Sequence, residues 1–290
     1  MPSAHRYSPA VAALSVLWLA LSPLAQAASC AKQSPAHRVA LIELYTSEGC
    51  SSCPPADQWL GQVSQGFSAD QVVALALHVD YWDYIGWQDP FAQPAFAERQ
   101  RWLTRLARSS TVYTPEVFTG MKELRKWHTA TNFAERIEKI NRRPAAADIA
   151  LQMRPAGDDA VDLEARFTLR EGEGAGQAAE AFVIIYENQL RSEIRAGENR
   201  GVNLQHDRVV RFWSTALPLN KADGTALWRQ TLKIPADWQL KQLGVAAFVQ
   251  DAQAGEVLQA VAMPGCLQPA TANTGKLIFL WRTQWIVVNH

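Results

Sequence analysis

The chain has 290 residues, of which 48% are hydrophobic and 19% charged, enough apolar matter for a sizeable core and about two domains of ordinary size. Its 28 Lys+Arg balance 28 Asp+Glu, so the formal net charge is zero. That balance, with no long basic run, lacks the electrostatic footprint of a nucleic-acid binder, and the apolar content excludes a disordered chain.

The first segment, residues 1–27, reads as an export signal: His5 and Arg6, an apolar stretch over residues 11–21, then the small-residue site Ala25-Gln26-Ala27. The apolar stretch is shorter than the roughly 20 residues that span a bilayer. Cleavage leaves Ala28 first and places the product in the periplasm or outside the cell, where disulfides persist. Ala27-Ala28-Ser29-Cys30 also resembles a weak lipobox, and membrane attachment is expected only if Cys30 carries lipid.

Val39-Ala40-Leu41-Ile42-Glu43-Leu44-Tyr45 is an apolar run of strand type, followed directly by Gly49-Cys50-Ser51-Ser52-Cys53-Pro54-Pro55. Two residues between cysteines let the sulfurs meet across one turn. At a strand-to-helix junction, unpaired backbone N–H groups can stabilise a Cys50 thiolate, the nucleophile of disulfide exchange. Three readings of the pair stand side by side. A redox pair is the first, and it needs no cofactor. A structural disulfide is the second, although so small a ring removes little chain entropy. Metal binding is the third: zinc lacks a second ligand pair among His37, His78, His128 and His206, whereas a soft ion such as Cu(I) suits Cys50 and Cys53 with His78. With Cys50 joined to Cys53, the remaining two of the four cysteines, Cys30 and Cys266, are expected to form a structural disulfide that ties the chain's two ends together.

Residues 56–61 are expected to be helical, with Pro54 and Pro55 in the first turn. Val72-Val73-Ala74-Leu75-Ala76-Leu77 is continuous and short, the mark of a strand buried on both faces in a parallel sheet. It ends at His78-Val79-Asp80-Tyr81-Trp82-Asp83, and the carboxyl ends of parallel strands share one crevice, so His78 and Asp80 are expected to line the site. The plainer alternatives are a hydrogen-bonded structural histidine and a loop-capping aspartate. Tyr81, Trp82, Tyr84 and Trp87 either pack inward or offer a substrate-docking face. Residues 94–108 read as an amphipathic helix with Phe96, Trp102, Leu103 and Leu106 inward, and Arg99, Arg101, Arg105 and Arg108 on a solvated face. Val112-Tyr113-Thr114-Pro115-Glu116-Val117-Phe118-Thr119-Gly120 is a Thr-Pro step entering a strand.

The order of strand, Cys-x-x-Cys, helix, strand, helix, X-Pro and strand over residues 38–143 resembles the thioredoxin fold, with a helical insertion. In that fold a cis-proline loop lies against the cysteine pair. More closely, the run Glu43-Leu44-Tyr45-Thr46-Ser47-Glu48-Gly49-Cys50-Ser51-Ser52-Cys53-Pro54-Pro55-Ala56-Asp57, with His78-Val79-Asp80-Tyr81-Trp82-Asp83 and Tyr113-Thr114-Pro115, resembles a secreted bacterial family known as domain of unknown function 1223. The resemblance implies a thioredoxin-like fold with no settled activity. Cys50 would be the attacking thiol and Cys53 the resolving one, with Pro115 and Thr114 shaping the substrate groove. Ser51-Ser52 and the two prolines after Cys53 depart from the thioredoxin pattern, which leaves redox direction open.

Beyond Arg142-Arg143-Pro144, short alternating segments at residues 149–153, 161–169, 181–186, 209–213, 227–234, 245–250 and 257–263 suggest a β-sandwich. Gly172-Glu173-Gly174-Ala175-Gly176 reads as a surface connection. Gly197-Glu198-Asn199-Arg200-Gly201 with His206-Asp207-Arg208 also resembles the named family but reads as an ordinary polar loop. The expected architecture is thus an α/β thioredoxin-like domain over residues 28–143, an all-β sandwich-like domain over 144–267 and an apolar extension over 268–290. The expected activity is thiol–disulfide exchange with protein or small-molecule thiols and disulfides, with a redox partner protein possible. The alternatives are Cu(I) binding and a non-catalytic interaction module with a permanent disulfide.

Overall fold

A computed structural model describes residues 30–157, 159–171 and 178–265. The export signal, the lipobox-like residues before Cys30, the glycine-rich stretch at 172–176, Cys266 and the extension at 268–290 lie outside the described residues.

The first half of the chain supplies β1 (Cys30–Gln33), β2 (Ala40–Thr46), α1 (Pro54–Gly66), β3 (Val72–His78), α2 (Pro94–Leu106), β4 (Glu116–Thr119), β5 (Lys122–Glu123) and α3 (Ala130–Asn141). The second half supplies β6 (Ala147–Pro155), β7 (Ala160–Leu169), β8 (Ala179–Glu187), β9 (Leu190–Glu193), β10 (Asn203–His206), β11 (Val209–Trp213), β12 (Leu217–Pro218), β13 (Thr225–Lys233), β14 (Leu243–Asp251) and β15 (Val257–Met263). β2 and β3 are buried along their whole lengths and pair in parallel from Ala40 opposite Val72 to Thr46 opposite His78. Continuous apolar composition suits such doubly covered strands.

The expectation of an α/β thioredoxin-like domain followed by a separate all-β domain is not what the chain builds. The described residues are mostly β, with three α-helices, and strands from both halves enter one nine-stranded mixed sheet in the order β15-β14-β8-β11-β3-β2-β4-β5, with β12 beside β8. The joint is β11, which pairs in parallel with β3 at Val209 opposite Ala76 and antiparallel with β8 on its other side. The physical reason is that β3, paired with β2 on one edge, presents a second row of unpaired N–H and C=O groups. A buried apolar strand completes that row wherever it comes from in sequence.

A second, four-stranded antiparallel sheet, β1-β6-β7-β13, alternates buried and exposed residues along β6 and β7. Its inward Ile149, Leu151, Leu163 and Phe167 pack with Val183, Ile185, Val245 and Val261 of the large sheet. The opposite face of the large sheet is covered by α2 through Phe96, Ala97 and Leu103. α1 and α3 cover the β2–β3–β4 region through Leu60, Val63, Phe133 and Ile137. Arg101 and Arg105 on α2, and Arg108 just past its end, are exposed as expected, but Arg99 turns inward. Its guanidinium holds Glu43 through two hydrogen bonds of 2.6 and 2.8 Å and lies 4.9 Å from the Trp213 ring centroid. Glu43 is fully buried on β2, and a buried carboxylate needs such a partner.

Candidate functional site

Cys50 and Cys53 are joined by a disulfide with Cα atoms 5.4 Å apart. The chain leaves β2 at Thr46 and turns through Ser47 to Cys50. The Cys50 amide donates to the Ser47 carbonyl at 3.2 Å, and the Cys53 amide to the Cys50 carbonyl at 3.2 Å. Cys53 is the N-cap of α1, whose first two residues are Pro54 and Pro55, a position where a missing N–H costs nothing. Gly49 sits in a tight space: a Cβ there would stand 3.1 Å from Trp82 Cβ. Both cysteines are fully buried, whereas Ser51 and Ser52 are exposed above them.

The Thr114–Pro115 bond is cis, and this segment faces the disulfide. The Thr114 carbonyl lies 3.8 Å from Cys50 Sγ and accepts from Ser52 Oγ at 3.5 Å. Thr114 Oγ1 accepts from Trp82 Nε1 at 2.7 Å, so the aromatic loop after β3 fixes the threonine. Tyr81 and Trp82 pack against the core, whereas Tyr84 is 84% exposed. Glu116, next in the chain, is buried on β4. Burial pushes its carboxyl up to about 7, against the opposing hydrogen bond from Gln100 at 2.7 Å.

A buried ionic cluster stands behind the cysteine turn. Glu48 accepts from Trp87 Nε1 at 2.8 Å and from His206 Nε2 at 3.1 Å, and its amide donates to Asp89 at 2.9 Å. Asp57, one helical turn after Cys53, lies 3.6 Å from His206 Nδ1. Burial opposes a proton on His206, but Asp57 and Glu48 outweigh it and raise the imidazole to about 10, so it is a cation at neutral pH. His78 Nδ1 pairs with Asp89 at 2.7 Å, and the two imidazole rings meet edge to face at 5.1 Å. Burial likewise works against ionised Asp89, yet His78 and the Glu48 and Phe91 amides hold it below the usual carboxylate range. A cavity of about 390 Å³ between α1 and β10 is lined in part by Pro54, Asp57 and His206. A larger groove of about 960 Å³ lies at the other end of β2, around Val39, Lys122 and Arg136, away from these groups.

Two more side chains reach the cysteine turn from the loop between β9 and β10. Asn199 Nδ2 donates to the Glu48 carbonyl at 2.8 Å and to the Cys50 carbonyl at 3.0 Å. Glu198 Oε2 accepts from the Ser51 amide at 3.0 Å. The expectation of an ordinary loop at 197–201 therefore gives way to a segment bonded to the cysteine turn.

Of the residues expected at the site, Cys50, Cys53, Thr114 and Pro115 come together. His78 is buried and engaged with Asp89, not open to a crevice. Asp80 sits in the turn after β3, its carbonyl accepting from the Asp83 amide at 3.1 Å. The Cu(I) set of Cys50, Cys53 and His78 is not assembled: among the described residues no group of three or more His, Cys, Asp or Glu is arranged to hold a metal. Cys30 is buried at the head of β1, and its expected partner Cys266 lies outside the described residues. Asp57, Glu48, Asp89, Glu198, Asn199 and His206 were not expected to be functional. Asp57 carried a signal, since its spacing of four from Cys53 places both on one helix face.

Fold and site define a mixed-β protein with a closed two-cysteine ring at the end of a parallel strand pair, backed by a buried histidine–carboxylate cluster. The chain belongs to the family described as Protein of unknown function (DUF1223), whose model matches residues 41–250. It is similar to protein AGR_C_4864 from Agrobacterium tumefaciens, at 26% identity and a TM-score of 0.54, over 79% of this chain and 96% of that one. HBP35 of Porphyromonas gingivalis shares the fold at a TM-score of 0.63 and 15% identity, over 89% of this chain and 81% of that one. No curated protein matches the chain.

Proposed function

We propose that this protein exchanges thiols and disulfides through Cys50 and Cys53, acting on protein or small-molecule thiols in an oxidising space outside the cytosol. The observation that carries the reading is the bonded pair at a strand-to-helix turn with the Thr114 backbone carbonyl facing Cys50. A backbone segment beside the reactive sulfur offers an extended substrate chain a place to align. In the reducing direction, the Cys50 thiolate attacks one sulfur of a substrate disulfide, and the other sulfur leaves as a thiolate and takes up a proton. The Cys53 thiolate then attacks Cys50, closing the pair and releasing the second substrate thiol, so two electrons pass to the substrate. In the oxidising direction the same steps run backwards, and the closed pair accepts two electrons from a substrate dithiol. An oxidising compartment favours this second direction.

Complete burial of both cysteines favours a second reading, in which the ring is a permanent staple. Trapping separates the two. Reduced Cys53→Ser protein is mixed with a disulfide-bonded peptide and analysed without reductant. A mixed disulfide at Cys50, with a wild-type reduction potential above about −270 mV, supports exchange. No adduct and a potential below about −300 mV leaves the staple.

A further inference from the structure

We propose that Glu198 is a tuning residue for Cys50, holding its thiol in the protonated form and so biasing the pair toward a weaker oxidant. The inference rests on the exchange reading above and concerns how that chemistry is set. At a strand-to-helix turn, the amides following the first cysteine are the natural donors to its thiolate. Here the first of them, the Ser51 N–H, is taken at 3.0 Å by a carboxylate from 147 residues along the chain. Glu198 is exposed, and its hydrogen bond with the Ser51 amide holds its carboxyl below the usual range, so it is an anion at neutral pH. It thus takes up a donor of the cysteine turn and adds a negative charge against the residue that follows Cys50, and both effects disfavour a second anion there.

The remaining surroundings do not offset this. The Thr114 carbonyl, 3.8 Å from Cys50 Sγ, is an acceptor and offers a thiolate nothing. From the cysteine turn itself, Ser52 Oγ lies at 3.3 Å from Cys50 Sγ, but its single proton is shared with the Thr114 carbonyl at 3.5 Å. Behind the turn, cationic His206 is already engaged by Glu48 and Asp57, and His78 by Asp89. Asp83, on the aromatic loop, has its carboxyl raised by burial. Asn199 anchors the loop by holding the Cys50 carbonyl at 3.0 Å, which fixes its neighbour Glu198 over Ser51.

The test is the pH dependence of Cys50 alkylation by iodoacetamide, read by peptide mass mapping on reduced full-length protein in a Cys53→Ala background. Glu198→Gln keeps an acceptor for Ser51 and removes the charge, Glu198→Ala removes both, and Glu198→Asp restores the charge. The profile is expected to move to lower pH in Glu198→Gln and further in Glu198→Ala. Alkylation just below the midpoint should rise about 3- to 10-fold, because one pH unit is a tenfold change in thiolate. Glu198→Asp should return toward the parent, and added salt should shrink the Gln effect. Superimposed profiles for the parent, Gln and Ala proteins overturn the proposal. Because alkylation reads the thiol directly, a shifted profile in a protein that forms no mixed disulfide would sink the exchange reading alone. Active exchange with unshifted profiles would sink the tuning role alone.

Discussion

Replacing His206 with Gln removes the cation that lies between Glu48 and Asp57. In the folded protein burial opposes its proton, but the two carboxylates prevail and raise the imidazole from 6.5 to about 10. A folded value above the unfolded one means that the stabilisation is complete below pH 6.5 and lost as pH climbs through about 10. At 1.36 kcal/mol per pH unit, the wild type gains about 4 kcal/mol from this group at pH 7 and about 1 kcal/mol at pH 9. The side chain is only 2% exposed, so solvent screening takes little from these figures. Breaking a buried ion pair from one side costs a similar amount, about 3–5 kcal/mol. Urea unfolding of the oxidised wild-type and His206→Gln proteins at pH 7 and pH 9 measures the difference. The gap should be several kcal/mol at the lower pH and shrink markedly at the higher. Glu116 titrates in both proteins and drops out of the comparison. A gap that stays constant between these pH values would refute a charged His206, and so would one below about 0.5 kcal/mol at pH 7.

Glu116→Gln should stabilise the protein by about 1–3 kcal/mol at pH 8 and leave it unchanged at pH 4. The wild-type carboxyl, raised by burial to about 7, opposes folding once ionised, and this cost appears as pH rises from about 4.5 to 7. Paired urea titrations at the two pH values check the sign. Asn199→Ala leaves the buried Glu48 carbonyl without this donor and takes one of two from the Cys50 carbonyl, which still accepts from the Cys53 amide, and should cost about 1–3 kcal/mol. A melting temperature within about one degree of wild type would show that these bonds are dispensable.

Much of the architecture was legible piece by piece. β2, β3, α2 and, in the second half, β6, β7, β8, β11, β13, β14 and β15 fall where hydrophobic runs and alternation place them, because those patterns are local, whereas the short β9, β10 and β12 carry no such pattern. The cysteine turn was legible for the same reason: strand, Cys-x-x-Cys and Pro-Pro lie within a few residues of one another. What pairs with what was not. Val209-Val210-Arg211-Phe212-Trp213 reads identically whether it joins a sandwich or docks beside β3, since strand pairing is decided by edges far away in sequence. Arg99 misled for a related reason: its spacing assigns it to the polar side of α2, and only the buried Glu43 of another element explains its inward turn. Glu198, Asn199 and His206 sit in a polar stretch that looks like any surface connection. Their role comes from the chain fold that brings them back to Cys50.

The parallel seam between β3 and β11 also bears on how the molecule comes into being. When the first half has left the ribosome, β3 has one partner and one raw edge, and the cysteine turn lacks the side chains that will bracket it. Such an intermediate is open to pairing with other chains. The cysteine ring is therefore first exposed to surrounding thiols without its later cover, and acquires its mature environment only when a strand made much later slides in alongside. A fragment cut near residue 143 would keep both cysteines and lose the setting that makes them comparable to those of the whole protein.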